Sequence, residues 1–285
     1  MSKRLTILTC PDRKQYLENT IESLKKAGLD NFQGEKIIYV DGYRDTFYRK
    51  FTKEFEVIQL ELYGFSLEDK KAQTKKSLLH IMRAAARDSI DYLYYFEDDI
   101  ALSKNTLSVM ETVGVPNHLA FVSYCDLKDI GFKYGIAEAP GYDFEAPEFE
   151  GGHWGNQALV IPLHSLEMLT KHSIPEWVIH KGEHNFASDI LISIMMATGG
   201  AEKRLYGVFY PSLVQHTGDI SLVNPAATTV GWGRSTLSFK GEEFDASTLD
   251  LSKLEFYQGH VYSNMTRQQR LELRFREIRG KRNMD

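Results

Sequence analysis

The first hundred residues alternate short apolar runs with stretches of helical period, and the apolar runs stop on polar or turn-forming groups. Leu5–Thr9 reads as a buried strand that stops at Cys10-Pro11, and Ile37–Val40 as a second that stops at Asp41-Gly42. Val57–Leu62 reads as a third, and Tyr92–Phe96 as a fourth that runs into Glu97-Asp98-Asp99. Between them, Leu17, Thr20, Ile21 and Leu24 share one helical face, with Gly28 placed as the residue just past the helix. Leu78, Met82, Ala85 and Ala86 mark a stripe on a second helix predicted over 72–89. Apolar strands joined by helices require crossover connections and a mostly parallel sheet. Ligands of such sheets sit beyond the carboxyl ends of the strands. Pro11, Asp12, Arg13, Asp41 and the 97–99 carboxylates are therefore expected on one edge.

The second half is less regular. Leu119–Tyr124 and Gln157–Ile161 read as strands, and Pro162 introduces a helix to about Lys171. Residues 131–156, rich in glycine, aromatics and acids, are expected to form a long loop of the kind that shapes a site. Ser188–Ala197 is predicted as a helix and Leu205–Gln215 as an extended run broken by Pro211. No internal repeat or linker interrupts the chain. The expectation is one α/β domain over 1–222 and an extended C-terminal arm over 223–285.

At 285 residues the chain can bury a core without disulfides or a structural metal. Its formal net charge of −5 argues against a general polyanion binder. The two cysteines, Cys10 and Cys125, stand in no paired motif. No window approaches the roughly 18–20 apolar residues of a membrane span, and Met1–Arg4 leads into the first strand without a signal-peptide pattern. The expected compartment is the cytoplasm.

Glu97-Asp98-Asp99 is the sharpest chemical feature. Three adjacent carboxylates repel one another and need water, a cation or basic partners. Mg²⁺ or Mn²⁺, held by one or two carboxylates plus phosphate oxygens, is an economical solution; a solvated acidic turn is the structural alternative. Three further segments follow in order. Gly151–Asn156 is a glycine-rich turn bearing His153 and Trp154. Ser188-Asp189 opens a helix, where the acid can also serve the helix terminus. Tyr210–Gly218 ends in Gln215-His216-Thr217-Gly218, where a lone histidine can equally be structural.

Together and in this order, these motifs resemble the GT-A glycosyltransferases, nucleotide-sugar-dependent enzymes with a Rossmann-like fold, and especially N-acetylglucosaminyltransferase-like members. The opening is similar too: Leu5–Thr9, Arg13, Ile21-Glu22-Ser23-Leu24 and Ala27-Gly28-Leu29. The similarity spans roughly residues 4–222. It implies a mostly parallel central sheet flanked by helices, and transfer of a sugar from a nucleotide diphosphate donor, by default a UDP-sugar. It implies a metal at Asp99 and His216, and a donor flanked by Pro11, Arg13, Asp41, Glu97 and Asp98. It also implies an acceptor lined by Gly152, His153 and Trp154. Asp189 is the implied base for single displacement with inversion. Ser188 stands where many members carry a second acid, which leaves one candidate base.

Rival readings fare less well. A nucleotidyltransferase would open on a glycine-rich phosphate loop, and residues 9–14 contain no glycine. His180-Lys181-Gly182-Glu183-His184 spaces two histidines like a zinc site, but Gly182 weakens the helix and the glutamate is misplaced for HExxH chemistry. A non-catalytic binding module would keep the fold while losing metal or base. The acceptor is expected to be a glycan or lipid-linked carbohydrate. A hydroxymethylated base in DNA is the alternative, motivated by residues 264–285, which carry seven Lys/Arg against three acids. There Arg267, Arg270 and Arg274 share a helical face beside an apolar stripe of Leu271, Phe275 and Ile278, and Lys70, Lys71, Lys75 and Lys76 form a second basic cluster.

Overall fold

A computed structural model describes residues 1–42, 46–60, 67–125, 133–140, 157–171, 191–192, 205–218 and 238–258. Its centre is a mixed, mostly parallel sheet. Strand β1 (Lys3–Thr9) leads into α1 (Lys14–Lys26), followed by β2 (Glu35–Val40), β3 (Glu56–Gln59), α2 (Leu67–Arg87) and β4 (Tyr92–Glu97). β1 pairs in parallel with β2 on one side and β4 on the other, and β2 pairs in parallel with β3. The carboxyl ends of all four strands therefore share one edge, as their apolar runs and polar stops predict. Gly28 closes α1 with φ +106°, a left-handed turn that glycine adopts without Cβ strain.

The period-two side-chain alternation divides the core into two layers. Leu5 and Ile7, Ile38 and Val40, and Tyr94 and Phe96 pack on the face covered by Leu17, Ile21 and Leu24 of α1. Leu8, Ile37, Tyr39, Leu93 and Tyr95 pack on the opposite face against Leu78, Leu79, Ile81, Met82 and Ala85 of α2. Both faces being covered explains why these strands read as continuous apolar runs.

The chain then forms β5 (Ile100–Leu102), α3 (Thr106–Val113), β6 (Leu119–Ser123), β7 (Gly135–Pro140), β8 (Ala158–Pro162) and α4 (Leu163–Lys171). It continues through β9 (Leu205–Tyr210), β10 (Val214–His216) and β11 (Glu255–Gln258). The main sheet runs β11-β7-β9-β6-β8-β4-β1-β2-β3, with β10 and β5 forming a separate two-stranded ladder. β8 enters antiparallel between β4 and β6.

One feature corrects the sequence expectation and a second adds to it. β7 lies inside the segment expected to be loop, pairing antiparallel with β9. Its Gly-Ile-Ala-Glu-Ala-Pro sequence has a single β-branched residue, so its strand state comes from its neighbours rather than its propensity. β11 lies in the expected arm and pairs with β7 in parallel, while Ala246 is fully buried in the core with Phe244, Leu249, Leu251 and Leu254 packed against it. The described part of the arm thus completes the sheet. Among the described residues, no helix is long and apolar enough to cross a membrane.

Candidate active site

The turn between β4 and β5 brings the acidic triplet to the carboxyl edge, and α1 holds it there. The Thr20 hydroxyl lies 2.8 Å from the Asp98 carbonyl and accepts the Ile100 N–H at 3.0 Å. One turn later, Ser23 Oγ accepts the Leu102 N–H at 2.7 Å. Thr20 belongs to the buried face of α1 because it ties the helix to this turn. β10 delivers His216 opposite Ile100, and the Thr217 N–H donates to the Asp99 carbonyl at 2.8 Å. The Tyr124 carbonyl at the end of β6 accepts the N–H groups of Leu213 and Val214, which sets the path of the chain toward His216.

Glu97, Asp99 and His216 each offer one ligand atom, all within 4.8 Å of one another. His216 Nε2 is 3.0 Å from Asp99 Oδ2. Glu97 Oε2 accepts from Gln157 Nε2 at 3.2 Å, and the Glu97 N–H donates to the Gln157 carbonyl at 3.1 Å. Two carboxylates and an imidazole suit Mn²⁺ and tolerate Mg²⁺. Gly218 packs directly against Asp99, where a β-carbon would overlap the carboxylate. The residues present therefore fit a divalent cation. Glu97, expected among the donor-facing groups, joins the metal-donor set.

Asp98 is placed differently from its neighbours. One oxygen accepts from Thr9 Oγ1 at 2.5 Å and the other from Arg13 Nε at 2.7 Å. Burial raises its pKa, and the charge of Asp99 adds to this against the opposing pull of Arg13. Burial alone would raise Asp99 as well, but His216 and Arg13 outweigh it and hold that carboxyl below its ordinary range. Arg13 Nη2 donates to Asp99 Oδ2, and the guanidinium lies over the Tyr16 ring at 4.5 Å. Arg13 and Asp98, both expected to face the donor, are hydrogen-bonded to each other.

Asp41 follows β2, its N–H donating to the Thr9 carbonyl at 2.7 Å. Burial raises its carboxyl to about 6, against hydrogen bonds from the side chains of Gln73 and Ser77. Its Oδ1 is buried and has no hydrogen-bond partner among the described residues. Sequence reasoning missed Gln73 and Ser77, whose i, i+4 spacing on α2 was the available signal. Pro11 opens the short turn after β1 and is half-buried. Burial pushes the Cys10 thiol up to about 12, which leaves it un-ionised and poorly nucleophilic.

Gly152, His153, Trp154, Asp189, Arg267, Arg270 and Arg274 lie outside the described residues, as do the side chains of Lys70 and Lys71. Lys75 is buried on α2 and Lys76 half-buried, so these two do not form an open basic face.

No protein-family model and no curated protein matches the chain. Among solved structures it is similar to the crystal structure of S. aureus TarS residues 1–349, with a TM-score of 0.46 and 14% identity. That similarity covers 75% of this chain and 59% of that one. A second structure of S. aureus TarS matches with a TM-score of 0.43 and 14% identity over 77% of this chain and 37% of that one. The chain spans less than two thirds of either.

Proposed function

We propose that this chain is a metal-dependent glycosyltransferase that moves a sugar from a nucleotide diphosphate sugar, by default a UDP-sugar, to an acceptor hydroxyl with inversion. The convergence of Glu97, Asp99 and His216 on the carboxyl edge carries the reading, because three donor atoms within 4.8 Å of one another would hold a divalent cation able to neutralise a diphosphate. Asp41 supports it from the neighbouring strand end, where its buried Oδ1 can accept an N–H or O–H of a nucleoside.

Asp99, His216 and Glu97 would hold Mn²⁺ or Mg²⁺. When bound, such a cation neutralises charge on a diphosphate leaving group. Neutral His216 presents a nitrogen lone pair as a ligand. Asp41 holds the nucleoside half of the donor. The acceptor oxygen attacks the anomeric carbon as the bond to the diphosphate oxygen breaks, and that oxygen keeps the electron pair. Asp189 takes the acceptor proton, and Gly152, His153 and Trp154 line the acceptor side; these roles rest on the family resemblance. The acceptor is a glycan or lipid-linked carbohydrate.

The test is a screen of nucleotide sugars with Mn²⁺, following nucleotide release with and without acceptor. Release that stops on EDTA treatment and returns with Mn²⁺ is the expected result. Undiminished turnover in EDTA would remove the metal from the reading. Tight nucleotide binding without turnover on any donor would make the chain a binding module.

A further inference from the structure

Arg13 holds the same carboxylate oxygen that the metal reading needs. Its Nη2 donates to Asp99 Oδ2, the atom that also faces His216 Nε2 at 3.0 Å. A carboxylate oxygen has two lone-pair directions, and these two partners take both. His216 can exchange its place at Asp99 for a place beside it as a ligand. A guanidinium has no lone pair to offer, so Arg13 cannot become a ligand and has to withdraw.

The other end of Arg13 is anchored independently. Nε donates to Asp98 Oδ1 at 2.7 Å, and Asp98 Oδ2 accepts from Thr9 at 2.5 Å. The guanidinium also rests on Tyr16, with its side chain only 12% exposed. One nitrogen is thus tied to a carboxylate outside the metal-donor set, and another to a carboxylate inside it. Among the described residues, three carboxylates against one guanidinium leave a double negative charge when His216 is neutral, which a divalent cation cancels.

We propose that Arg13 is a resident counter-cation that shields Asp99 without metal and releases Asp99 Oδ2, but not Asp98, when a divalent cation binds. This rests on the metal reading above. Asp98 is then a positioning residue that acts through Arg13. The arrangement keeps two adjacent buried carboxylates compensated in the metal-free protein, at the expense of metal affinity.

Two measurements on the full chain test it. Mn²⁺ binding by calorimetry should be at least about tenfold tighter in Arg13→Met than in the wild type, because a competing positive charge is gone. Lys104→Gln removes the same charge from the exposed pair with Glu243 and should leave Mn²⁺ affinity unchanged. In the wild type with ¹⁵N-labelled arginine, Mg²⁺ should free the Arg13 Nη protons to exchange while the Nε–H signal stays protected. Unchanged or weaker Mn²⁺ binding by a folded Arg13→Met would overturn the proposal. So would Nη protons that stay protected with Mg²⁺ bound, a result that does not depend on the variant folding. If the folded wild type binds no Mn²⁺, the metal reading itself fails; if it binds Mn²⁺ and Arg13→Met binds no tighter, only the role of Arg13 fails.

Discussion

Gly218 and Asp99 are packed so closely that a β-carbon at 218 would lie 2.9 Å from the Asp99 Cγ and overlap its Oδ2. Real Cβ contacts are not this short, so either the carboxylate or the strand that delivers His216 must move. Gly218→Ala should therefore lower Mn²⁺ affinity by at least the ~10–100-fold typical of disturbing a ligand's supporting shell. The fold should survive with a loss of ~1–3 kcal/mol, as for other overpacked sites. Calorimetric Mn²⁺ titration beside thermal denaturation checks both parts.

Removing the ligand itself should act more severely. Asp99→Ala should abolish detectable Mn²⁺ binding and nucleotide-sugar turnover while leaving the far-ultraviolet circular dichroism intact, since Asp99 lies in a turn at the sheet edge. His216→Ala should retain weak metal dependence, because water and phosphate oxygens can replace one ligand. Equal turnover of Asp99→Ala and wild type would remove Asp99 from the site.

Thr20 joins helix to turn through the Asp98 carbonyl and the Ile100 N–H. Thr20→Val keeps the volume but leaves buried backbone groups unpaired, at a cost of ~1–3 kcal/mol. Thr20→Ser should recover most of it. Urea denaturation measures the difference, and a valine variant as stable as the wild type would show that the turn is held by other contacts.

Asp41 makes stability depend on pH. Its folded carboxyl is raised by burial to about 6, above its unfolded value, so the folded state binds the extra proton. The contribution is fully present below the unfolded value and is lost as pH rises through about 6. Asp41→Asn should leave stability near pH 4 almost unchanged and raise it by ~1–3 kcal/mol at pH 8. The same variant should bind nucleotide more weakly. Equal stability gains at both pH values would mean that Asp41 is not the titrating group.

For the acceptor side, Asp189→Asn should lower kcat by the ~10²–10⁴-fold typical of a lost general base, with little change in donor affinity. A variant that unfolds readily, while its folded fraction stays active, would make Asp189 a helix cap.

The order of strands and helices through residue 100 was written in local periodicity. A strand covered on both faces must be apolar throughout, and a helix must show one apolar stripe, so Leu5–Thr9, Ile37–Val40 and the α1 face declare themselves without partners. The same locality brought Asp41 and the 97–99 carboxylates to one edge, because parallel strands share a carboxyl end. Local sequence has no means of stating which side chain meets which across a long separation. Arg13 finds Asp98 and Asp99 from 85 and 86 positions away, and His216 reaches Asp99 only through the β5–β10 ladder. The strand state of Gly135–Pro140 likewise depends on β9 and β11 as hydrogen-bonding partners, since its own residues favour a strand weakly. Sequence determined which charges gather at the edge. Tertiary packing decided that Glu97 rather than Asp98 joins Asp99 and His216, because Thr9 and Arg13 each engage one oxygen of Asp98 and Gln157 orients Glu97.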